Sequence, residues 1–247
     1  MTHGHSHSHS HSHLDRHRNP VEFERYLEKL EGPGRAAWQL PDRLVEALGL
    51  RPGDVACDVG AGPGYLALRM ARAVGAAGVV YAIDVEPRML EALRRRAREA
   101  GIRNVRAILA RPGAGTLPPR RCDLILVVNA FHHFPEGVAY LRSLAGRLAP
   151  GGRIVNVDFH RRELPVGPPP EHKVSRADFL AAAREAGLAR ARERRFLPYQ
   201  YYVELVRISP AGKRPAEGPA KAPRPARSGP RRPPGRAAPR RAGRSTR

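Results

Sequence analysis

Lysine is nearly missing from this chain. Only Lys29, Lys173, Lys213 and Lys221 supply it, so 40 of the 44 basic residues are arginine. Against 23 acids this leaves a formal net charge of +21. Alanine, proline and glycine are abundant as well, and the combined bias reads as a coding preference that raises arginine everywhere without selecting a partner. Cysteine is also scarce. Cys57 and Cys122 both fall at stretches read as strands, where a buried free thiol is the ordinary state. No apolar run approaches the roughly 20 residues needed to span a bilayer, and the polar N-terminus offers no secretory hydrophobic segment. No membrane association is expected.

The two ends also lack something: apolar residues. Residues 3–13 alternate histidine with glycine or serine. Residues 209–247 hold nine prolines, twelve Lys or Arg and one acid, Glu217. Neither segment buries enough apolar surface to offset chain entropy, so disorder is expected over 1–19 and 209–247. The His-rich tract has the chemistry for loose nickel or zinc binding but no fixed geometry. The tail has no aromatic residue on which a base could stack. Its expected contact with DNA or RNA is therefore weak, sequence-indifferent and salt-sensitive. Residues 20–208 remain, a normal size for one domain with a sizeable core.

Within that span, Val55-Ala56-Cys57-Asp58-Val59-Gly60-Ala61-Gly62-Pro63-Gly64 is the most informative segment. An apolar strand ends in an acid and three alternating glycines, and a helix-period pattern follows. Such a loop lets backbone approach a ligand closely, with helix N–H groups behind it. The spacing is D-x-G-x-G-x-G, with its third glycine one residue earlier than in the dinucleotide-binding G-x-G-x-x-G. A second buried-strand pattern, Val79 to Asp84, ends in an acid placed to accept ribose hydroxyls. Further strands are expected at 105–109, 123–128, 153–159, 190–196 and 199–208. Helix-period segments follow the first, second, fourth and fifth of the seven strands.

The glycine loop, Asn129-Ala130-Phe131-His132-His133 after the fourth strand, and Leu148-Ala149-Pro150-Gly151-Gly152 before the fifth occur in this order. In this the chain resembles the class I S-adenosylmethionine (SAM)-dependent methyltransferases, closest to the small-molecule, type-11-like group, over roughly residues 35–208. The resemblance implies an α/β, Rossmann-like fold. Its mostly parallel seven-stranded sheet would carry an antiparallel edge hairpin, helices on both faces and an N-terminal helical lid. It implies S-adenosyl-L-methionine as cofactor and methyl transfer to a small organic acceptor, in the cytoplasm where SAM is made. Asp58, Gly60, Gly62 and Gly64 would line the methionine half of SAM, Asp84 would hold the ribose, and Val85 would lie against the adenine. Arg111 stands near the place where many relatives carry an acid that meets the adenine amino group.

Catalysis is expected from Asn129, His132 and His133. Asn129 ends the fourth strand, where open α/β sheets bind ligands, and serves the donor or the acceptor. A neutral imidazole beside it can take a proton from an acceptor hydroxyl or amine. Each histidine can equally be a packing residue of the loop. His160 and His172, flanking the exit from the fifth strand, are weaker candidates, and Trp38 reads equally as packing. No catalytic metal is expected. A nicotinamide oxidoreductase is disfavoured by the glycine spacing and by the lack of Tyr-x-x-x-Lys, and arsenite methylation by the shortage of cysteine. The competing readings are an inactive SAM-binding or metal-handling protein, and a methyltransferase brought to nucleic acid by its basic tail.

Overall fold

The computed structural model describes residues 20–111, 115–134 and 136–208. The segments expected to be disordered lie outside the described residues. Seven strands form one sheet in the order β3-β2-β1-β4-β5-β7-β6. They are β1 (Val55–Val59), β2 (Val79–Asp84), β3 (Val105–Leu109), β4 (Cys122–Val128), β5 (Leu148–Phe159), β6 (Leu188–Arg194) and β7 (Gln200–Arg207). The first five run parallel, β7 is antiparallel to β5, and β6 is antiparallel to β7. This is the mixed sheet with an antiparallel edge hairpin that the resemblance implies.

Among the described residues seven α-helices surround it: α1 (Pro20–Glu31), α2 (Pro33–Gln39), α3 (Pro41–Leu48), α4 (Ala67–Val74), α5 (Pro87–Glu99), α6 (Gly137–Gly146) and α7 (Arg176–Glu185). Their ends follow local chemistry. Proline at the first position and a Glu86 side chain accepting the Arg88 N–H at 3.0 Å start α5. Ser175 caps α7 by accepting the Asp178 N–H at 3.1 Å and donates its hydroxyl back to Asp178 Oδ2 at 2.7 Å.

Strand alternation sends successive side chains to opposite faces, and both faces are covered. On one face Cys57, Ile83, Ile125, Val127 and Ile154 pack with Leu141 and Leu144 of α6 and Phe179 of α7. On the other, Ala56, Val80, Leu126 and Val155 meet Leu44 and Leu48 of α3, Met70 of α4 and Leu93 of α5. A third, smaller cluster seats α1 on α5 through Phe23 and Leu27 against Met89 and Ala92. An ion pair between Arg96 and Glu31 at 2.6 Å, and the Arg88 guanidinium 3.7 Å over the Phe23 ring, close the same seam.

Two details differ from the sequence expectation. β5 begins at Leu148 rather than Arg153, and its register with β4 shifts between Cys122 and Leu124. The Pro150-Gly151-Gly152 segment, expected to precede the strand, lies inside it. β6 spans 188–194 instead of 190–196, because the chain leaves the sheet at Arg195. The outer strands β3 and β6 each pair on one side only, and Arg106, Arg190 and Arg192 on them are exposed.

Cys57 and Cys122 are both free and fully buried. Burial raises both thiols, Cys57 well above its ordinary value and Cys122 to about 12. Thiol chemistry needs thiolate and access, and these residues have neither. Ellman's reagent should therefore leave the native protein unlabelled at pH 8 and titrate two thiols in denaturant. Labelling of either thiol under native conditions, faster than global unfolding, would contradict the packing described.

Candidate functional site

The order β3-β2-β1-β4 reverses the direction of winding between β1 and β4, and open α/β sheets bind ligands in the crevice at that point. Here a cavity of about 770 Å³ opens at the carboxyl ends of β1, β2 and β4. That is a volume suited to a cofactor-sized molecule. The loop after β1 forms its floor, and Tyr26 and Leu30 of α1 reach over it.

The glycine loop is held by the acid at the tip of β2. Asp84 Oδ2 accepts the Gly62 N–H at 2.7 Å, and Oδ1 accepts the Glu86 N–H at 2.9 Å. The Val85 N–H donates to the same carboxylate, which lines the cavity. Gly60 sits at φ 74°, and a Cβ there would fall 2.7 Å from the Ala130 Cβ. Gly62, at φ 53°, differs: a Cβ would meet nothing nearer than Leu30 Cδ1 at 4.0 Å, so any side chain would project into the cavity. The loop is therefore a cradle that a side chain would fill. Val85, 42% exposed, adds an apolar wall, with Ile83, Met89 and Ala110 beside it. Cradle, two-oxygen carboxylate and apolar wall together suit the amino-acid, ribose and adenine parts of SAM.

Asp58 and Gly64 take other places. Asp58 is buried beneath the loop, outside the cavity lining, where it accepts the Ala67 N–H and so ties down the start of α4. Burial first, then the neighbouring Asp84 charge, raise its carboxyl to about 7, against the opposing pull of Arg35. Burial likewise raises Asp84, and the N–H groups of Glu86, Gly62 and Val85 counter it. Gly64 faces away from the cavity, packing on Leu93, whose Cγ would lie 2.9 Å from an added Cβ.

The segment after β4 divides in two. Asn129 and His133 line the cavity, whereas His132 turns toward β5. His132 Nδ1 stands 3.3 Å from Oδ2 of the fully buried Asp158. A carboxylate only accepts, so that nitrogen carries the proton. The two imidazoles lie 4.0 Å apart between centroids. Asn129 adopts φ 53°, a left-handed conformation that asparagine tolerates better than most residues. Arg111 also lines the cavity. His160 and His172 do not; His160 stacks near Tyr201, and burial lowers its pKa. Trp38 packs against Phe159 at 5.4 Å.

Sequence reasoning missed Arg35 and Gln200. Arg35 lines the cavity, stacks 4.2 Å over Tyr65 and donates to Gln39 Oε1 and to Leu30 O. Burial pulls its pKa down to about 10, which still leaves it a cation at neutral pH. One arginine among 40 carries no signal, and a glutamine opening a strand belongs to no motif. Among the described residues no group of three or more His, Cys, Asp or Glu side chains is placed to hold a metal ion, and no helix is long and apolar enough to cross a membrane. The His-rich tract and the basic tail lie outside the described residues, along with the metal and nucleic-acid binding expected of them.

Comparison with known proteins places the geometry. Residues 56–152 match the family described as "Methyltransferase domain". The chain is 33% identical over 112 residues, 45% of its length, to the aklanonic acid methyltransferase DauC of Streptomyces sp. (strain C5). It is 27% identical over 169 residues, 67% of its length, to the ubiquinone/menaquinone biosynthesis C-methyltransferase UbiE of Shewanella oneidensis. It spans only 51% and 64% of those two relatives' lengths. Among solved structures, a SAM-dependent methyltransferase from Aquifex aeolicus superposes with a TM-score of 0.69 at 26% identity, over 74% of this chain and 98% of that one.

The raised Asp58 carboxyl makes stability depend on pH. A carboxyl whose folded pKa lies above its unfolded value favours the folded state while protonated, and that advantage is lost as pH rises from about 4 to about 7. Asp58→Asn can still accept the Ala67 N–H and does not ionise. The Tm of this variant relative to wild type should therefore climb between about pH 5 and pH 8, by on the order of 5 °C. A difference that stays flat or falls across that range would show that Asp58 does not carry the raised pKa.

Proposed function

On the premise that the chain belongs to the class I SAM-dependent methyltransferases, we propose that it transfers a methyl group from SAM to a small organic acceptor. The observation that carries this reading is the bond from Gly62 N–H to Asp84 Oδ2. It joins a glycine cradle to a carboxylate on the floor of one cofactor-sized cavity. The similarity to the aklanonic acid methyltransferase DauC and the ubiquinone/menaquinone methyltransferase UbiE supports a small-molecule acceptor. We place the enzyme in the cytoplasm, where its donor is made, and take α1 and α2 as the lid over its site.

Bound SAM would supply a methyl group already activated on a sulfonium. What remains for the protein is to align the nucleophile, exclude water and receive a proton. Asp84 accepts from the ribose hydroxyls, and the backbone at Gly60–Gly62 approaches the amino-acid end. Val85 and Met89 shield the adenine. His133 lines the cavity and takes the proton that a neutral hydroxyl or amine loses on methylation. His132, turned to Asp158, holds the loop that presents His133.

Calorimetry should show binding of S-adenosylhomocysteine and no binding of NAD. Asp84→Ala should remove charge-assisted hydrogen bonds worth about 1.5–3 kcal/mol each. Wild-type affinity in Asp84→Ala, or preference for NAD, would refute the donor assignment. In a screen of acceptors with labelled SAM, His133→Ala should lose about 10²–10⁴-fold in turnover with little change in S-adenosylhomocysteine affinity. Unchanged turnover in His133→Ala would return His133 to a packing role.

A further inference from the structure

Four polar side chains from three separate elements form one line that ends at the cavity. Arg35 Nε of α2 donates to Gln39 Oε1 at the end of the same helix. Gln39 Nε2 donates to Gln200 Oε1 at the start of β7, at 3.4 Å. Gln200 Nε2 then donates to Asn129 Oδ1 at the tip of β4, at 2.6 Å. Gln39 is 0% and Gln200 2% exposed, so water cannot substitute for a lost partner.

The direction of this line follows from donor and acceptor chemistry. A guanidinium has no lone pair to offer, so Gln39 must turn its oxygen toward Arg35. Its NH₂ then faces Gln200, which must answer with its own oxygen. Gln200 in turn presents NH₂ to Asn129, whose oxygen is thereby engaged. Asn129 keeps its NH₂ for the cavity it lines. An isolated asparagine amide could face a ligand either way round. This one is set by an arginine three side chains away.

We propose that Arg35, Gln39 and Gln200 form a polarised relay that holds Asn129 as a hydrogen-bond donor toward a carboxylate oxygen of the ligand, so that Gln39 and Gln200 are positioning residues for the amino-acid end of the donor. The proposal rests on the SAM-binding reading above. A carboxylate is the fitting group because Arg35 lines the same cavity and adds a positive charge near that end. Asn129 also sits beyond the adenine wall formed by Val85 and Met89, on the β4 side of the glycine loop. The relay further joins a lid helix and the edge hairpin to the strand tip. An amide turned the wrong way at any one position would reverse the next.

That reversal is the basis of the test. In Gln39→Glu the new carboxylate can accept from both Arg35 and Gln200. Gln200 must then turn its oxygen to Asn129, and Asn129 must turn its own oxygen to the cavity. Every hydrogen bond survives, with inverted polarity. Two nucleosides serve as probes: S-adenosylhomocysteine, which carries the amino-acid carboxylate, and 5′-methylthioadenosine, which lacks it. By calorimetry, Gln39→Glu should weaken S-adenosylhomocysteine about 10- to 100-fold and leave 5′-methylthioadenosine within about twofold. Gln39→Leu removes the link without inverting it, so its loss for S-adenosylhomocysteine should be smaller than that of Gln39→Glu. A purely structural role for Gln39 predicts the opposite ranking.

Equal weakening of both nucleosides, unchanged S-adenosylhomocysteine binding in Gln39→Glu, or a larger loss in Gln39→Leu would overturn the relay. Should Gln39→Glu fail to fold by circular dichroism, Asn129→Asp decides. It keeps an oxygen for Gln200, replaces the donor facing the cavity with a charged acceptor, and should show the same selective loss. A wild-type protein that binds neither nucleoside would overturn the family reading and the relay with it. Wild-type binding of both without this discrimination in the variants overturns the relay alone.

Discussion

A carboxylate taken out of water must find donors, and two of them at adjacent strand tips govern how this site is built. Asp84 takes its donors from the glycine loop and from the start of α5. Asp58, one strand over, takes the first N–H of α4. The loop between β1 and α4 is therefore anchored by acids from β1 and β2, and its glycines are needed because those anchors pull the backbone across a neighbouring strand tip. Cavity floor, helix start and ligand carboxylate arise from one arrangement. The N-terminal helices come next in this dependence, because Arg35 brings its charge close to Asp58 and Tyr65 only while α2 is seated.

Much of this was readable from residue order. Continuous apolar runs at Val79–Ile83 and Leu124–Val128 mark strands covered on both faces, and the structure buries Val80–Ile83 and Leu124–Val128. The acid and glycines after β1 announced a nucleoside loop through their spacing. Side-chain direction was harder to read. Asp58 belongs to the family motif, but a strand residue's face depends on where its last peptide turns, and here Asp58 turns under the loop. His132 and His133 are adjacent, and the short 3₁₀ turn at Phe131–His133 sends one to Asp158 and the other to the cavity. No spacing rule could have assigned which. Gln39 and Gln200 lie 161 residues apart, and their meeting depends on the whole fold.

Family and acceptor are specified by different parts of the molecule. The glycine loop and Asp84 lie within residues 56–152, the span that matches the methyltransferase family. Part of the cavity wall comes from outside that span, since Tyr26, Leu30 and Arg35 belong to the N-terminal helices. That is why a chain can match the methyltransferase family over residues 56–152 while its acceptor is not named by the same match.

The arginine surplus has a consequence at the two open borders of the sheet. β3 and β6 each expose a row of backbone groups that could recruit a strand from another molecule. Arg106 on one border, and Arg190 and Arg192 on the other, stand exposed along those rows. A second copy approaching edge to edge would bring like charges together and strip water from guanidinium groups. A compositional bias with no evident link to methyl transfer thus acts as a guard against fibrous self-assembly, and it does so most effectively in dilute salt.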